Sequence, residues 1–175
     1  MEELLDIVNN TDAVVGLARR SVIHQCGLQH RGAHVFLFSG DGKMLVQKRS
    51  ADRSASPSML DCSVSEHVKA GESYLDAALR GMKEEMGVTD VEISPLVTFR
   101  MNYGLNDNEI STLYMGQVTP EIVRFDPVEI AEISYYSLDQ LEELMRDEKN
   151  IFCGWFIQIM NWYLKKPSEM IVLDS

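Results

Sequence analysis

Cysteine is scarce in this chain and poorly placed for its usual structural uses. Cys26, Cys62 and Cys153 are odd in number and no two share a short ligand spacing, so neither a disulfide framework nor a zinc site is indicated, and free thiols are expected. Positive charge is also short: 16 Lys and Arg against 27 Asp and Glu leave a formal net charge of -11. A binder of polyanions needs a basic face, which argues against nucleic-acid polymers and anionic membranes as partners. A small anionic ligand would have to be met by local cations or by metal. Long apolar runs are missing too. The longest, residues 151–164, is interrupted by Gln158 and Asn161 and falls short of the roughly 20 residues of a membrane span. The acidic opening MEELLDIVNN lacks the basic and apolar regions of a secretory signal, so a cytoplasmic location is the expectation. With no repeats or low-complexity tracts, and with 45% hydrophobic and 25% charged residues, one domain over residues 1–175 is expected.

What is present reads as a mixed α/β chain. DAVVGLA and AHVFLFS have strand character, and GDGK turns the second into MLVQKRS as a hairpin. A polar loop, SADRSASPS, leads to a further strand, MLDCSVS. From Ser73 the period changes: Leu75, Ala78, Leu79, Met82 and Met86 recur at helical spacing, with Gly87 as the C-terminal cap. VEISPLVTFRMNYG and ISTLYMGQVT flank the acidic turn LNDNE, and a strand around EISYYS follows. Ser137 and Gln140 have capping-box spacing ahead of LDQLEELMRDEK. The last helix, near residues 152–165, is apolar around most of its circumference. It belongs either in the core or in a contact with a second copy, so a homodimer is among the expectations. A mixed sheet with helices packed on it fits this order.

The chemistry concentrates on the first long helix. Glu84 and Glu85 are adjacent and point about 100° apart, so one or both can reach a site at the helix margin. Paired carboxylates suit Mg2+ or Mn2+, hard ions that prefer oxygen and accept phosphate oxygens as further ligands. Arg80 stands one turn earlier. Alone, an Arg and two Glu are more often a solvated face with an intrahelical ion pair. The intervals change that: Glu72, Arg80, Met82, Glu84, Glu85, Gly87 and Val88 fall in register with G-x5-E-x7-R-E-U-x-E-E-x-G-U, where U is aliphatic. The segment resembles the Nudix box, and residues 44–73 look like the strand, loop and strand that precede it in the isopentenyl-diphosphate-isomerase-like branch of that superfamily.

The resemblance implies an α/β/α sandwich around a mixed sheet and a divalent-metal hydrolase acting on a diphosphate bonded to another group. It carries over Glu84 and Glu85 as Mg2+ or Mn2+ ligands, Glu72 as a supporting carboxylate and Arg80 as the group that orients them. Arg49 and Arg53 fall where that branch places contacts to a diphosphate; surface charge beside a loop is the equal alternative. Glu109 would approach the same metal from a later loop, although a solvated turn is its plainer reading. His67 reads as a residue packed under its loop, and His24, His30 and His34 show no ligand spacing. The isomerase's cysteine position corresponds to Ser65, with Cys62 three residues away, which favours hydrolysis over isomerisation; a protein that only binds a nucleotide or diphosphate is the alternative from another class.

Two positions break the box, and they break it reciprocally. Its first glycine is Glu66, and the glutamate that should follow Arg80 is Gly81. The expectation is that Glu66 supplies the missing carboxylate and that Gly81, having no Cβ, leaves room for it. Exchanging the two residues back should then retain activity. Gly81→Ala should stabilise the helix by several tenths of a kcal/mol to about 1, unless its methyl blocks Glu66.

Overall fold

The computed structural model describes residues 2–173. Ten strands and four helices follow one another in it: β1 (Leu4–Val8), β2 (Val14–Arg19), α1 (Arg20–Cys26), β3 (His30–Phe38), β4 (Met44–Arg49), β5 (Leu60–Asp61), β6 (Val64–His67), α2 (Tyr74–Met86), β7 (Ile93–Asn102), β8 (Asn108–Gln117), β9 (Ile130–Tyr136), α3 (Leu138–Asp147), α4 (Gly154–Tyr163) and β10 (Ile171–Val172). β1 and β2 form a separate ribbon. The other eight strands share one mixed sheet, ordered β10-β7-β8-β3-β4-β5, with β6 on β3 and β9 on β4. Strand alternation divides the core between the two faces. Ala33, Val35, Leu37 and Val64 pack under Ala78, Met82 and Met86 of α2. Phe36, Val46, Phe99 and Leu113 pack under Leu141 of α3 and Phe156, Ile159 and Met160 of α4. The result is an α/β/α sandwich. The apolar girth of α4 is thereby taken up within the chain. Among the described residues no helix is long and apolar enough to cross a membrane.

Two expected elements are divided. The hairpin of β3 and β4 keeps a single register pair, Phe38 with Met44, and then opens. β6 fills the gap by pairing with β3 over Gly32–Val35, while β4 turns to β9. Ser63 bridges the split: its hydroxyl accepts from the Leu37 N–H (2.9 Å) and donates to the Leu45 carbonyl (2.6 Å), satisfying two buried backbone groups that the open hairpin leaves behind. The expected strand MLDCSVS is cut at the same place, with β5 on β4 and β6 on β3. α2 keeps its expected end at Gly87 (φ 65°) and is capped at its start by a Ser73–Asp76 capping box. Ser137 and Gln140 cap α3 reciprocally.

α2 crosses β6 closely enough that Gly81 is required by contact. A Cβ at position 81 would stand 2.5 Å from Val64 Cγ1 and 2.6 Å from Glu66 Cγ. The steric term therefore outweighs the helix-propensity gain anticipated for alanine, and Gly81→Ala is expected to lower stability by about 1–3 kcal/mol, as overpacking does. The urea midpoint measures this; a midpoint equal to or above the parent's would show that Val64 and Glu66 yield at no cost.

Candidate metal and diphosphate site

Glu66 leaves β6 toward α2 and passes over Gly81, so its carboxylate meets Glu85 from the last turn of that helix. Glu129, just before β9, joins them. Ligand oxygens of Glu66, Glu85 and Glu129 all lie within 4.8 Å of one another. Glu85 is 4% exposed, and its side chain accepts one hydrogen bond, from Gln47 Nε2 (2.6 Å). Burial, then the neighbouring Glu66, pushes its carboxyl well above the ordinary range. Burial raises Glu66 as well, against the pull of Arg80.

Arg80 organises the rim. Its guanidinium donates to Glu72 Oε1 (2.8 Å) and Oε2 (3.1 Å), to the His67 carbonyl (2.8 Å), to Glu66 Oε2 (3.0 Å) and to Glu84 Oε2 (3.3 Å). Glu72 also accepts from the Lys69 N–H (2.9 Å), so both its oxygens are committed to holding Arg80 and the loop. Glu84 is 55% exposed at the cavity margin. The carboxylates close enough to share one cation are thus Glu66, Glu85 and Glu129; Glu72 and Glu84 stand around them. A buried carboxylate whose nearest charged neighbours are carboxylates lacks an opposite charge, and an all-oxygen set suits Mg2+ or Mn2+.

Glu109 lies elsewhere. Along β6 the side chains alternate, Glu66 toward α2 and Ser65 and His67 toward the opposite face. There Glu109 Oε1 is 3.4 Å from His30 Nε2 and 3.9 Å from His67 Nε2, and Oε2 is 4.0 Å from His34 Nε2. Gly32 makes space for it, since a Cβ there would fall on Glu109 Oε2 and 2.7 Å from Ser111 Oγ. The histidines that show no ligand spacing along the chain are assembled by the fold: ligand atoms of His24, His30 and His67 lie within 4.8 Å of one another, as do those of His30, Asp107 and Glu109. Burial holds His67 neutral, pushed down to about 3, and lowers His24. Although burial opposes it, His30 is raised by Glu109, and Glu109 is lowered in turn by His30, His67 and His34. His30 Nε2 and Asp107 Oδ1 are buried without a hydrogen-bond partner. This second, nitrogen-rich set also fits a divalent ion.

Members of both sets, Glu66 and Glu129 of one and His24, His67, Asp107 and Glu109 of the other, line one cavity of about 750 Å3. Arg49 lies in its wall with its guanidinium committed, pairing with buried Asp61 (2.8 Å) and donating to the Ala55 carbonyl (3.1 Å). Arg53 lies beside it, ion-paired to Glu129 (2.8 Å). Ser65 Oγ donates to Asp61 (2.9 Å) and is 3.0 Å from His34 Nδ1. Among the described residues no cysteine lines the cavity, and Cys62 is buried in the core on the α3–α4 side.

Glu129, Gln47, Asp61 and the histidine set were not among the site residues expected from sequence. Glu129 carried no signal, being one acid in a polar turn, and Asp107, in the turn before β8, carried none either.

Residues 28–155 match the sequence model of the family described as the NUDIX domain. The chain is 30% identical over 166 residues to an isopentenyl-diphosphate Delta-isomerase 2 of Photorhabdus laumondii, covering 92% of each protein. It is 32% identical over 164 residues to an isopentenyl-diphosphate Delta-isomerase of Streptomyces coelicolor, covering 90% of this chain and 82% of that one. An uncharacterized Nudix hydrolase of the same organism is 37% identical over 127 residues, covering 69% and 70%. Among solved structures, that of DR0079 from Deinococcus radiodurans is similar with a TM-score of 0.78 at 25% identity, over 91% of this chain and 98% of that one. With a matching domain over most of its length, an α/β/α sandwich and the acidic helix in place, the chain belongs to the Nudix superfamily, in its isopentenyl-diphosphate-isomerase-like branch.

Proposed function

We propose that the protein is a divalent-metal-dependent hydrolase of a diphosphate linkage in a nucleoside diphosphate bonded to a further group, or in a related small metabolite. The observation that carries the reading is the path of Glu66 over Gly81, which brings a third carboxylate to Glu85 and Glu129 where the helix itself offers glycine. A bound Mg2+ or Mn2+ would neutralise diphosphate oxygens and lower the pKa of an attacking water. The chain's own residues prepare for that. Gln47 fixes Glu85, Arg80 fixes Glu66, and Glu84 stands at the cavity margin as a candidate proton acceptor. Among the described residues the cavity carries no thiol, and Ser65, at the position expected for the isomerase's cysteine, bonds to Asp61.

Isomerisation of a prenyl diphosphate is the second reading. It is favoured by the histidine set around Glu109 and by the names of the relatives. The two readings differ in which carboxylate they need.

With Mg2+ and a panel of nucleoside-diphosphate sugars, dinucleoside polyphosphates, nucleoside triphosphates and prenyl diphosphates, hydrolysis products are expected from at least one member. Glu66→Gln and Glu85→Gln should each lower kcat about a hundred-fold or more, the scale of a lost catalytic carboxylate, and Glu109→Gln should cost less. The reverse order of sensitivity, with isomer conversion, would favour the second reading, and saturable binding without product would leave a sensor. Restoring the box requires one change beyond the two swapped positions, because Val64 also occupies the space above position 81. The variant V64A/E66G/G81E should regain a larger part of the parent's kcat than E66G/G81E. Equal activity in the two would show that Val64 does not obstruct the restored side chain.

A further inference from the structure

We propose that Asp61, acting through Ser65, fixes His34 as a hydrogen-bond acceptor for a ring N–H on the part of the substrate that is not phosphate. The inference rests on the proposed function for the identity of the ligand, and it names the chemistry that the cavity offers to a nucleobase.

Asp61 is fully buried and holds three residues of the cavity wall, Arg49, Ser65 and Trp155, from behind. Its Oδ2 pairs with Arg49 (2.8 Å). Its Oδ1 accepts from the Cys62 N–H (2.7 Å), the Trp155 indole N–H (2.6 Å) and the Ser65 hydroxyl (2.9 Å). A carboxylate ion-paired to arginine can only accept, so the one hydroxyl proton of Ser65 is committed to Asp61. The Ser65 oxygen keeps its lone pairs, and His34 Nδ1, 3.0 Å away, must supply the hydrogen between them. The order of protons is thus set from the buried carboxylate outward: His34 carries hydrogen on Nδ1 and a bare lone pair on Nε2. Burial lowers His34, which keeps the ring neutral.

That lone pair has nothing to accept from. His34 is 4% exposed and lines the cavity, yet its Nε2 has no hydrogen-bond partner among the described residues. Glu109 Oε2, at 4.0 Å, is itself an acceptor. A buried acceptor left unpaired is costly, so the position calls for a donor that arrives with the ligand. The neighbouring rings indicate what carries it. Tyr103 meets both His34 (centroids 6.4 Å apart) and Trp155 (6.2 Å) edge-on, and all three line the cavity. Because Asp61 takes its indole N–H, Trp155 offers a ligand its ring alone. The Tyr103 hydroxyl, also buried without a partner among the described residues, adds a second polar point. A planar ring bearing an N–H suits such a wall, whereas the hydrocarbon of a prenyl group would leave Nε2 unpaired.

Two measurements on the full chain test this. In a 15N–1H correlation spectrum of the imidazoles, His34, identified among the four histidines by its loss in His34→Phe, should be the neutral ring with hydrogen on Nδ1. Ser65→Ala leaves the Asp61–Arg49 pair in place and should move that hydrogen toward Nε2, a shift that a merely structural role for Ser65 would not produce. By calorimetry in Mg2+ buffer, at least one of AMP, CMP, GMP and UMP should bind more tightly than ribose 5-phosphate. His34→Phe keeps a ring but loses the acceptor, and should reduce that preference about ten-fold, as expected when a buried partner is removed; His34→Gln, whose amide oxygen can accept, should restore part of it. Hydrogen on Nε2 in the parent, a tautomer indifferent to Ser65→Ala, or a base preference that is absent or survives His34→Phe would each overturn the assignment and leave the hydrolase reading standing. Turnover of prenyl diphosphates alone would remove that reading and the nucleobase with it.

Discussion

The near-contact of Glu66 with Gly81 is the constraint on which the acidic site depends. A glycine inside a helix costs about 1 kcal/mol relative to alanine, and here that cost opens the only kind of space through which a β6 side chain can cross the helix. Val64 and Glu66 fill it. The crossing sets how near α2 lies to the sheet, and through that distance it sets where Glu85 and Arg80 meet Glu66. Gly32 repeats the device on the other face, giving its side-chain volume to Glu109. Two glycines without left-handed backbone thus each admit a glutamate into a cavity wall, and neither position is a turn.

The electrostatics around Glu66 are unbalanced in a directed way. Carboxyl groups are gathered where solvent is excluded, Glu85 most deeply, and the arginines meet them from the rim. Desolvation raises the carboxyls and Arg80 pulls Glu66 back. Folding alone would not favour such a set, since isolated buried charge is among the most unfavourable features a core can carry. Its persistence in a chain that is otherwise well packed is the physical argument for a cationic ligand. The histidine set differs in kind: imidazoles share their space with Glu109 and Asp107, so its ligand field is mixed nitrogen and oxygen.

How much of this was legible in the sequence depended on whether the signal was local. The period of α2, its cap at Gly87 and the Ser137–Gln140 box were readable because each is written within one element. So was the reciprocal placement of Glu66 and Gly81, through the intervals of the box. β1 and α1 were not read. β1 has five residues within an acidic opening; α1 has seven, with one buried side chain and no side-chain cap. Neither is long enough for a period to emerge. Histidines 24, 30 and 67 come from α1, β3 and β6, so their convergence is a property of sheet pairing that no spacing records. The opening of the β3–β4 hairpin was hidden for a like reason, because the residue that closes the breach, Ser63, lies in a segment that reads as uninterrupted strand.

Pairing also brings a vulnerability. His30 stands opposite Glu109, Ala33 opposite Glu66, and His34 opposite Ser65, so β3 serves as the common ruler against which both ligand sets are aligned. Displacing β6 by one residue would invert every side chain on it, sending Glu66 away from the helix and His67 into the apolar layer. A misaligned conformer could retain its full complement of strands and still lose both centres together, which makes alignment of this one central strand an all-or-none requirement for chemistry.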